Sequence, residues 1–431
     1  MSVACGIDFG TSNSAVALSD GGRARLLQLQ GEATSVPTAL FFSFEDNSTT
    51  HGREAMKRYL EGEEGRLLRS IKSVLGTSLW NETTQVKFRR YEFSDIIGAF
   101  LQFLRTSAGK EIGGLPDQVV IGRPAFFVDD DAEADASAQE QLAEAARLAG
   151  FKHVEFQFEP IAAALHYEQS VSAEEIALVA DIGGGTSDFS LVRVSPELAG
   201  KADRRQDILG YNGVHIGGTD FDRALSLATL MPSLGLRSKL KMKGMDAPSW
   251  YFSDLATWHR INFLYDAKVL SEIKTVRRDS AEPEKIEKLL RVLELRKGHA
   301  LLARIEQAKI ELSAQEVASV KLSDIAEDLA LAIKRPRFEK AIAEGLDKIE
   351  GRVRELLAMA GLAAGDVRTV FLTGGSSGVP AVRAAILKAV PTAKVVTGDA
   401  FGSVATGLAI DAERRFGQAA RPARKVRAGQ K

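Results

Sequence analysis

The chain has 431 residues, 45% hydrophobic and 26% charged, enough for roughly two to three domains with filled cores and too evenly composed for a fibrous or disordered protein. Its 56 basic and 57 acidic side chains cancel, so no net field steers it toward nucleic acid or a membrane. A single cysteine excludes an internal disulfide, no apolar run nears the ~20 residues that span a bilayer, and the N-terminus lacks a signal-peptide pattern; the expectation is a cytoplasmic protein.

Cys5 to Phe9 reads as a buried strand with Cys5 an inert core thiol. It leads into Asp8-Phe9-Gly10-Thr11-Ser12-Asn13-Ser14 and the apolar Ala15 to Leu18. Asp20-Gly21-Gly22 predicts a hairpin turn toward Ala24 to Leu29, and Val36-Pro37 starts an extended run through Leu40 to Phe44. From Gly52 to about Gly109 the pattern predicts a small helical insertion, with helices at Glu63 to Leu75 and Ser94 to Ser107. Within it Lys72, taken by itself, reads as a solvated helix lysine. Gln118 to Gly122 predicts a strand. The acidic Asp129 to Asp135 complements the dipole of an alanine-rich helix, about Ala136 to Leu148, with Gly150 as its cap. Glu159-Pro160 opens another helix with proline at its first position; Glu159 is either a dipole partner or a carboxylate aimed at a cleft.

The centre of the chain is Asp181-Ile182-Gly183-Gly184-Gly185-Thr186-Ser187-Asp188, set between the strand-like Ile176 to Ala180 and Phe189 to Val194. Three glycines leave backbone N–H groups bare enough to close on an oxygen-rich anion such as phosphate, although such a turn is also a plain hairpin connection. Asp181 beside it suggests a magnesium ion held through water. The segment echoes the one at Asp8: strand, aspartate, apolar residue, glycine, Thr-Ser, strand. Two such hairpins, one from each half of the chain, would grip one polyphosphate between two lobes.

Gly217-Gly218 directly precedes a helix pattern at Phe221 to Leu230, a start whose bare amides suit an anion, and His215 just before it reads as structural. Residues 231–300 concentrate aromatics and the basic Arg237, Lys239, Lys241 and Lys243, which read as solvated loop rather than a nucleic-acid surface. Helices follow at Glu284 to Leu295 and Leu301 to Leu312, where Glu306 and Lys309 by themselves form an exposed pair one turn apart. Val367 to Leu372, Thr373 to Gly378 and Val379 to Val390 make a strand, glycine turn and helix of the nucleotide-binding kind. Lys394 to Val396 predicts a last strand with Asp399 just past it, and Phe401 to Phe416 the closing helix. From Arg414 to Lys431 seven basic residues and no acidic one predict a disordered tail.

In this order the segments resemble the actin-like ATPase fold and, within it, the nucleotide-binding domain of the DnaK-type heat-shock chaperones, over nearly the whole chain. G-I-D-F-G-T-S-N-S and the run at Asp181 are similar to that family's two phosphate motifs, R-S-I-K-S-V-L-G to its catalytic-lysine segment, and F-E-P-I-A-A-A-L to its first connecting helix. N-G-V-H-I-G-G-T-D-F-D, E-Q-A-K-I-E-L-S and F-L-T-G-G-S-S-G resemble its G-G-x-D-F-D, nucleoside-contacting and adenosine segments. The resemblance implies an α/β, duplicated ribonuclease H-like architecture of two lobes, each a mixed sheet flanked by helices. Lobe I would be 1–172 with an insertion at about 45–110, lobe II 173–417 with an insertion at about 228–315, and 418–431 the tail. It also implies ATP or ADP and Mg2+ as ligands. Asp8 and Asp181 would hold hydrated magnesium, with Gly10, Thr11, Ser12, Asn13, Gly183, Gly184, Gly185, Thr186, Gly217 and Gly218 around the phosphates. Lys72 would reach the γ-phosphate and attacking water, and Glu159 would orient the metal shell and that water. Glu306, Lys309 and Ser313 would contact the nucleoside from one side, and Gly374, Gly375 and Ser376 from the other. Phosphoryl transfer needs positioning and charge rather than a covalent nucleophile, which suits this set.

The chain also departs from the family. It stops soon after its last helix, without the interdomain linker and β-rich substrate-binding domain of a full chaperone, so a stand-alone domain most like the YegD group is expected and peptide holding is in question. Phe158 stands where the family has a polar residue, Gly378 where it has a basic or polar one, Asp399 is offset, and 231–300 is long and diverged. The expected function is a monomeric, slowly ATP-hydrolysing, chaperone-like protein whose lobes close on nucleotide and present that change to a protein partner or client. The alternatives are a small-molecule kinase of the sugar-kinase branch, for which no spare carboxylate base is in view, and a filament-forming actin-like protein, which the chaperone-type segments argue against.

Overall fold

The computed structural model describes residues 4–128, 131–168, 171–198, 201, 203–241, 245–325, 329–396 and 402–417. Asp399, Phe401 and the 418–431 tail lie outside them. Among the described residues no helix is long and apolar enough to cross a membrane.

Short apolar runs bounded by glycine turns build two sheets. In the first, Ala4–Phe9 pairs antiparallel with Asn13–Asp20 and parallel with Gln118–Arg123, and the order runs His153–Phe158, Gln118–Arg123, Ala4–Phe9, Asn13–Asp20, Arg23–Leu26. Ser35–Pro37 joins Asn13–Asp20 off this path. In the second the order is Lys394–Val396, Val367–Thr373, Glu175–Ile182, Ser187–Val194, Ile208–Val214. Each sheet thus has a central strand, two antiparallel strands after it in sequence on one side and two later parallel strands on the other. The topology is the same twice over, as the duplicated α/β architecture requires.

Two helices join the sheets. Glu159–Glu168 and Ser403–Phe416 share an apolar core with Val120 of the first sheet and Ala177, Val179 and Phe371 of the second. Their approach is close because Gly407 sits on the backbone of Ala162, where any β-carbon would overlap it. The buried ion cluster at the end of the first helix adds to this joint: Arg204 bonds Glu168 at 2.8 and 2.9 Å and Asp207 at 2.5 Å.

Several expectations are corrected. Glu63 to Leu75 is not a helix: Gly65–Arg69 is a strand pairing with Ala39–Ser43, and Ile71–Val74 is a 3-10 turn. Leu67 packs beside Phe41 and Ala55 while its neighbour Leu68 packs on the opposite, larger core, a two-residue alternation that only a strand supplies. The run from Val36 to Phe44 breaks at Thr38 into strands of two different sheets, because the Thr38 N–H donates to Ser12 O and its hydroxyl to Gly10 O. The 231–300 segment is folded, with helices Trp250–Leu255, Ala267–Asp279 and Pro283–Glu294, and Phe252, Leu255, Ile261, Leu264 and Ile273 are buried. Its basic residues are in part engaged, Lys239 with Asp246 and Lys241 with the carbonyl of Arg278, while Lys243 lies outside the described residues. His215 is exposed rather than packed. The helix placed at Ala136 starts earlier, at Ala132, capped by Asp131 accepting from the Ala134 N–H. Cys5 is fully buried, and burial pushes its thiol up to about 12.

Candidate functional site

The two hairpins turn through four-residue loops, Gly10 to Asn13 and Gly183 to Thr186, closing on the pairs Phe9–Ser14 and Ile182–Ser187. The strand register aligns Asp8 with Asp181 and Gly10 with Gly183. It gives Thr186 the position that Asn13 holds in the first hairpin, so the two Thr-Ser pairs are two residues out of step and only the aspartate-x-glycine part of the echo is structural. The equivalent serines are Ser14 and Ser187, both buried, with hydroxyls on Thr38 (2.8 Å) and on the carbonyl of Ile216 (2.7 Å). The Thr186 hydroxyl donates to Asp188 (2.8 Å), which also accepts from Tyr211 OH (2.6 Å).

The loops face one another so closely that a β-carbon on Gly184 would overlap Ser12 Oγ. Behind the second loop, Gly218–Thr229 docks its first turn on it: Gly218 N–H donates to Gly183 O, and Thr219 N–H and hydroxyl donate to Gly184 O. The Gly217 N–H goes to Asp220 (2.9 Å). These amides are therefore spent on the protein, and the expected bare helix start at Gly217-Gly218 acts instead as a buttress that only glycine fits, since a β-carbon on Gly217 would sit 2.6 Å from Gly184 C and Gly185 N. Gly374, at φ 76°, presses in the same way on Asp181, and Ser376 Oγ donates to Gly183 O (3.2 Å).

Four charged side chains converge beneath the loops. Ser70 takes a left-handed conformation (φ 56°), and Ile71, Val74 and Leu75 anchor the turn in the first core, which swings Lys72 inward. Only 9% exposed, Lys72 donates to Glu159 Oε1 at 2.8 Å. This overturns the solvated-lysine reading, and Glu159, while still the first residue of its helix, turns its carboxylate to Lys72. Burial by itself lowers the Lys72 ammonium, but Glu159, Asp8 and Asp181 outweigh it and leave it raised. Burial, then Glu159, raises Asp8 well above the carboxylate range, with Asp181 adding and Lys72 opposing. Asp181 rises to about 7 through burial, Glu159 and Asp188, against Thr373 and Lys72. Three carboxylates with one ammonium leave negative charge in excess, and the raised carboxyls are the mark of a pocket that a cation would relieve. No three acidic, histidine or cysteine side chains among the described residues come close enough to ligate a metal directly.

On the Gly298–Ala314 helix, Glu306, Lys309 and Ser313 share one face. Lys309 is not paired with Glu306 on the surface. It is 7% exposed and donates to Asp222 (2.9 Å) and Gly218 O (3.2 Å), and Ser313 donates to Lys309 O. Asp222 rises to about 6 through burial, with Lys309 opposing and Glu306 adding. Sequence reasoning misses Asp188, Asp222 and Thr38 as parts of this site. Asp222 carries a signal as the last residue of G-G-T-D-F-D, and Thr38 carries none. The arrangement suits an anion with a cation between two lobes, with a buried ammonium and carboxylate at one end and a second lysine at the other.

A family model described as "Hsp70 protein" matches residues 4–232 and 284–422, leaving out part of the helical 231–300 segment. The protein named Chaperone protein DnaK of Mycoplasmopsis synoviae (strain 53) is 26% identical over 388 residues, covering 88% of this chain and 53% of its own length. The Chaperone protein DnaK of Thermus thermophilus is 26% identical over 412 residues, covering 89% and 56%. The chain spans about half the length of these curated relatives. With the family match running across most of its length and the duplicated sheets in place, the chain belongs to the Hsp70 family.

Proposed function

We propose that this chain binds ATP and ADP with magnesium between the two hairpins, hydrolyses ATP slowly, and uses the resulting closure of its lobes in a chaperone-like role toward a protein partner. The observation that carries the reading is the convergence of Lys72, Glu159, Asp8 and Asp181 beneath two equivalent loops. The lobes would be 1–172 and 173–417, each with its insertion.

Asp8 and Asp181 would hold the magnesium through its water, and the excess of carboxylate there fits a divalent cation. When bound, the ion would neutralise phosphate charge. Thr11, Ser12, Asn13 and the Gly183 to Thr186 loop would surround the phosphates. Glu306, Lys309 and Ser313 would face the nucleoside opposite Gly374, Gly375 and Ser376. The Lys72 ammonium would stabilise charge on the transferring phosphoryl group and position the attacking water. Glu159, engaged by that ammonium at 2.8 Å, would help to place the water beside the transferring group, and turnover would be slow. Membership of the Hsp70 family favours this reading over the sugar-kinase and filament alternatives.

The test is single-turnover hydrolysis of ATP by wild type and Lys72→Ala, with nucleotide affinity measured alongside. Hydrolysis is expected to vanish from the variant while binding survives. A wild-type rate in Lys72→Ala would remove the lysine from the reaction.

A further inference from the structure

Two turns before Glu306 on the same helix, the halves of the chain meet again in a cluster of rings. His299 lies in the first turn of Gly298–Ala314 and Trp258 opens the 3-10 segment Trp258–Tyr265. Against them, from the N-terminal half, come Tyr59 near the end of the Gly52–Leu60 helix and Arg69 at the end of the Gly65–Arg69 strand, three residues before Lys72. Tyr59 OH is 3.2 Å from each His299 ring nitrogen, and the rings meet edge to face at 5.0 Å. His299 Nε2 is 3.1 Å from the Trp258 carbonyl and its ring is T-shaped to the indole at 4.8 Å. The Arg69 guanidinium lies over the indole, 4.7 Å from its centroid, and interacts with Glu306 and Asp222. Arg69 thereby connects this cluster to the nucleoside-facing helix.

We propose that Tyr59, Arg69, Trp258 and His299 form a clasp that holds the two halves shut over bound nucleotide, and that protonation of His299 opens it. The proposal rests on the nucleotide-binding reading above.

The neutral imidazole fits the cluster in one tautomer: Nε2–H donates to the Trp258 carbonyl and Nδ1 accepts from Tyr59 OH. A second proton removes that acceptor and puts a positive charge into a site that is 7% exposed. The charged and titratable groups around it are Tyr59, Arg69, Tyr265 and, past Tyr265, Arg296. None offers a negative charge near neutral pH; burial holds Tyr265 at about 12, and Arg69 opposes a second cation. Burial accordingly lowers His299 to about 4. In the open state, in water, the ring returns to its ordinary 6.5, so the clasp is fully favoured above about pH 6.5 and weakens as pH falls toward 4.

The experiment is stopped-flow release of a fluorescent ADP analogue, chased with ATP, at pH 7.5 and pH 5, for wild type, His299→Gln and Tyr59→Phe. Glutamine keeps a donor and an acceptor but cannot charge. Wild type is expected to release roughly twenty-fold faster at pH 5 than at pH 7.5, over and above whatever change His299→Gln shows. Tyr59→Phe should release faster than wild type at pH 7.5, and His299→Gln should not. Equal pH profiles for wild type and His299→Gln would overturn the clasp. If the analogue does not bind at any pH, the nucleotide reading fails, and the clasp is read from Trp258 emission in a Trp80→Phe, Trp250→Phe background. An acid-induced change below pH 6.5 that His299→Gln lacks supports it, and its absence overturns it.

Discussion

Asp181→Asn should make the nucleotide-free protein more stable at pH 8 while removing its response to magnesium nucleotide. The Asp181 carboxyl is pushed from an ordinary 3.8 to about 7 by burial, Glu159 and Asp188. A carboxyl whose folded value lies above its unfolded one contributes stability that is fully present below the unfolded value and lost as pH rises through the folded one. The wild-type protein should therefore lose stability from about pH 4 to about pH 7. A shift of that size corresponds to ~4 kcal/mol if the group stood alone. Asp181 keeps some contact with water and titrates together with Asp8, which reduces the expected difference to roughly 1–3 kcal/mol. Asparagine cannot ionise, so the advantage of Asp181→Asn should be near zero at pH 4 and reach that range at pH 8. Urea unfolding of both proteins at the two pH values measures it, and a repeat with ATP and magnesium should stabilise wild type far more than Asp181→Asn. If the difference between the two proteins does not grow from pH 4 to pH 8, the carboxylate is not held against its own ionisation, and the case for a cation site there collapses.

Lys72→Ala should slow single-turnover hydrolysis at least about 100-fold, the scale of losing one preorganised charge in a transition state, with nucleotide affinity changed far less. Gly184→Ala should lower nucleotide affinity about tenfold or more, because the added methyl meets Ser12 Oγ and pushes the loops apart; Ser12→Ala in the same protein should restore part of it, and titration with a fluorescent nucleotide would expose an absence of rescue. Arg204→Ala, far from the cleft, leaves Glu168 and Asp207 buried without their cation and should cost about 3–5 kcal/mol in chemical unfolding; a loss under about 1 kcal/mol would mean that the cluster is not a joint of the fold.

What the sequence determined is the set of places where the backbone must turn tightly or approach another segment. Asp8-x-Gly10 and Asp181-x-Gly183 were legible because the demand for a glycine in a tight turn beside an acid is local; Gly217-Gly218 and Gly374 answer to the close approach of the Gly183 loop, and the order of all four along the chain brought the family into view. The repeated strand pattern followed from apolar runs whose length and bounding turns are also local. Tertiary structure decided the rest. Leu67 and Leu68 read as part of a helix until two separate cores exist to receive them on opposite sides, and with that strand goes the inward turn of Lys72. The short helices between Trp250 and Glu294 draw their stability from shared burial, which a chain read one window at a time does not display. Lys309 found Asp222, 87 residues away, instead of Glu306 one turn away. The raised carboxyls of Asp8 and Asp181 exist only once segments around residues 8, 72, 159 and 181 converge, because desolvation and Coulomb coupling depend on distance in space and not on separation in the chain.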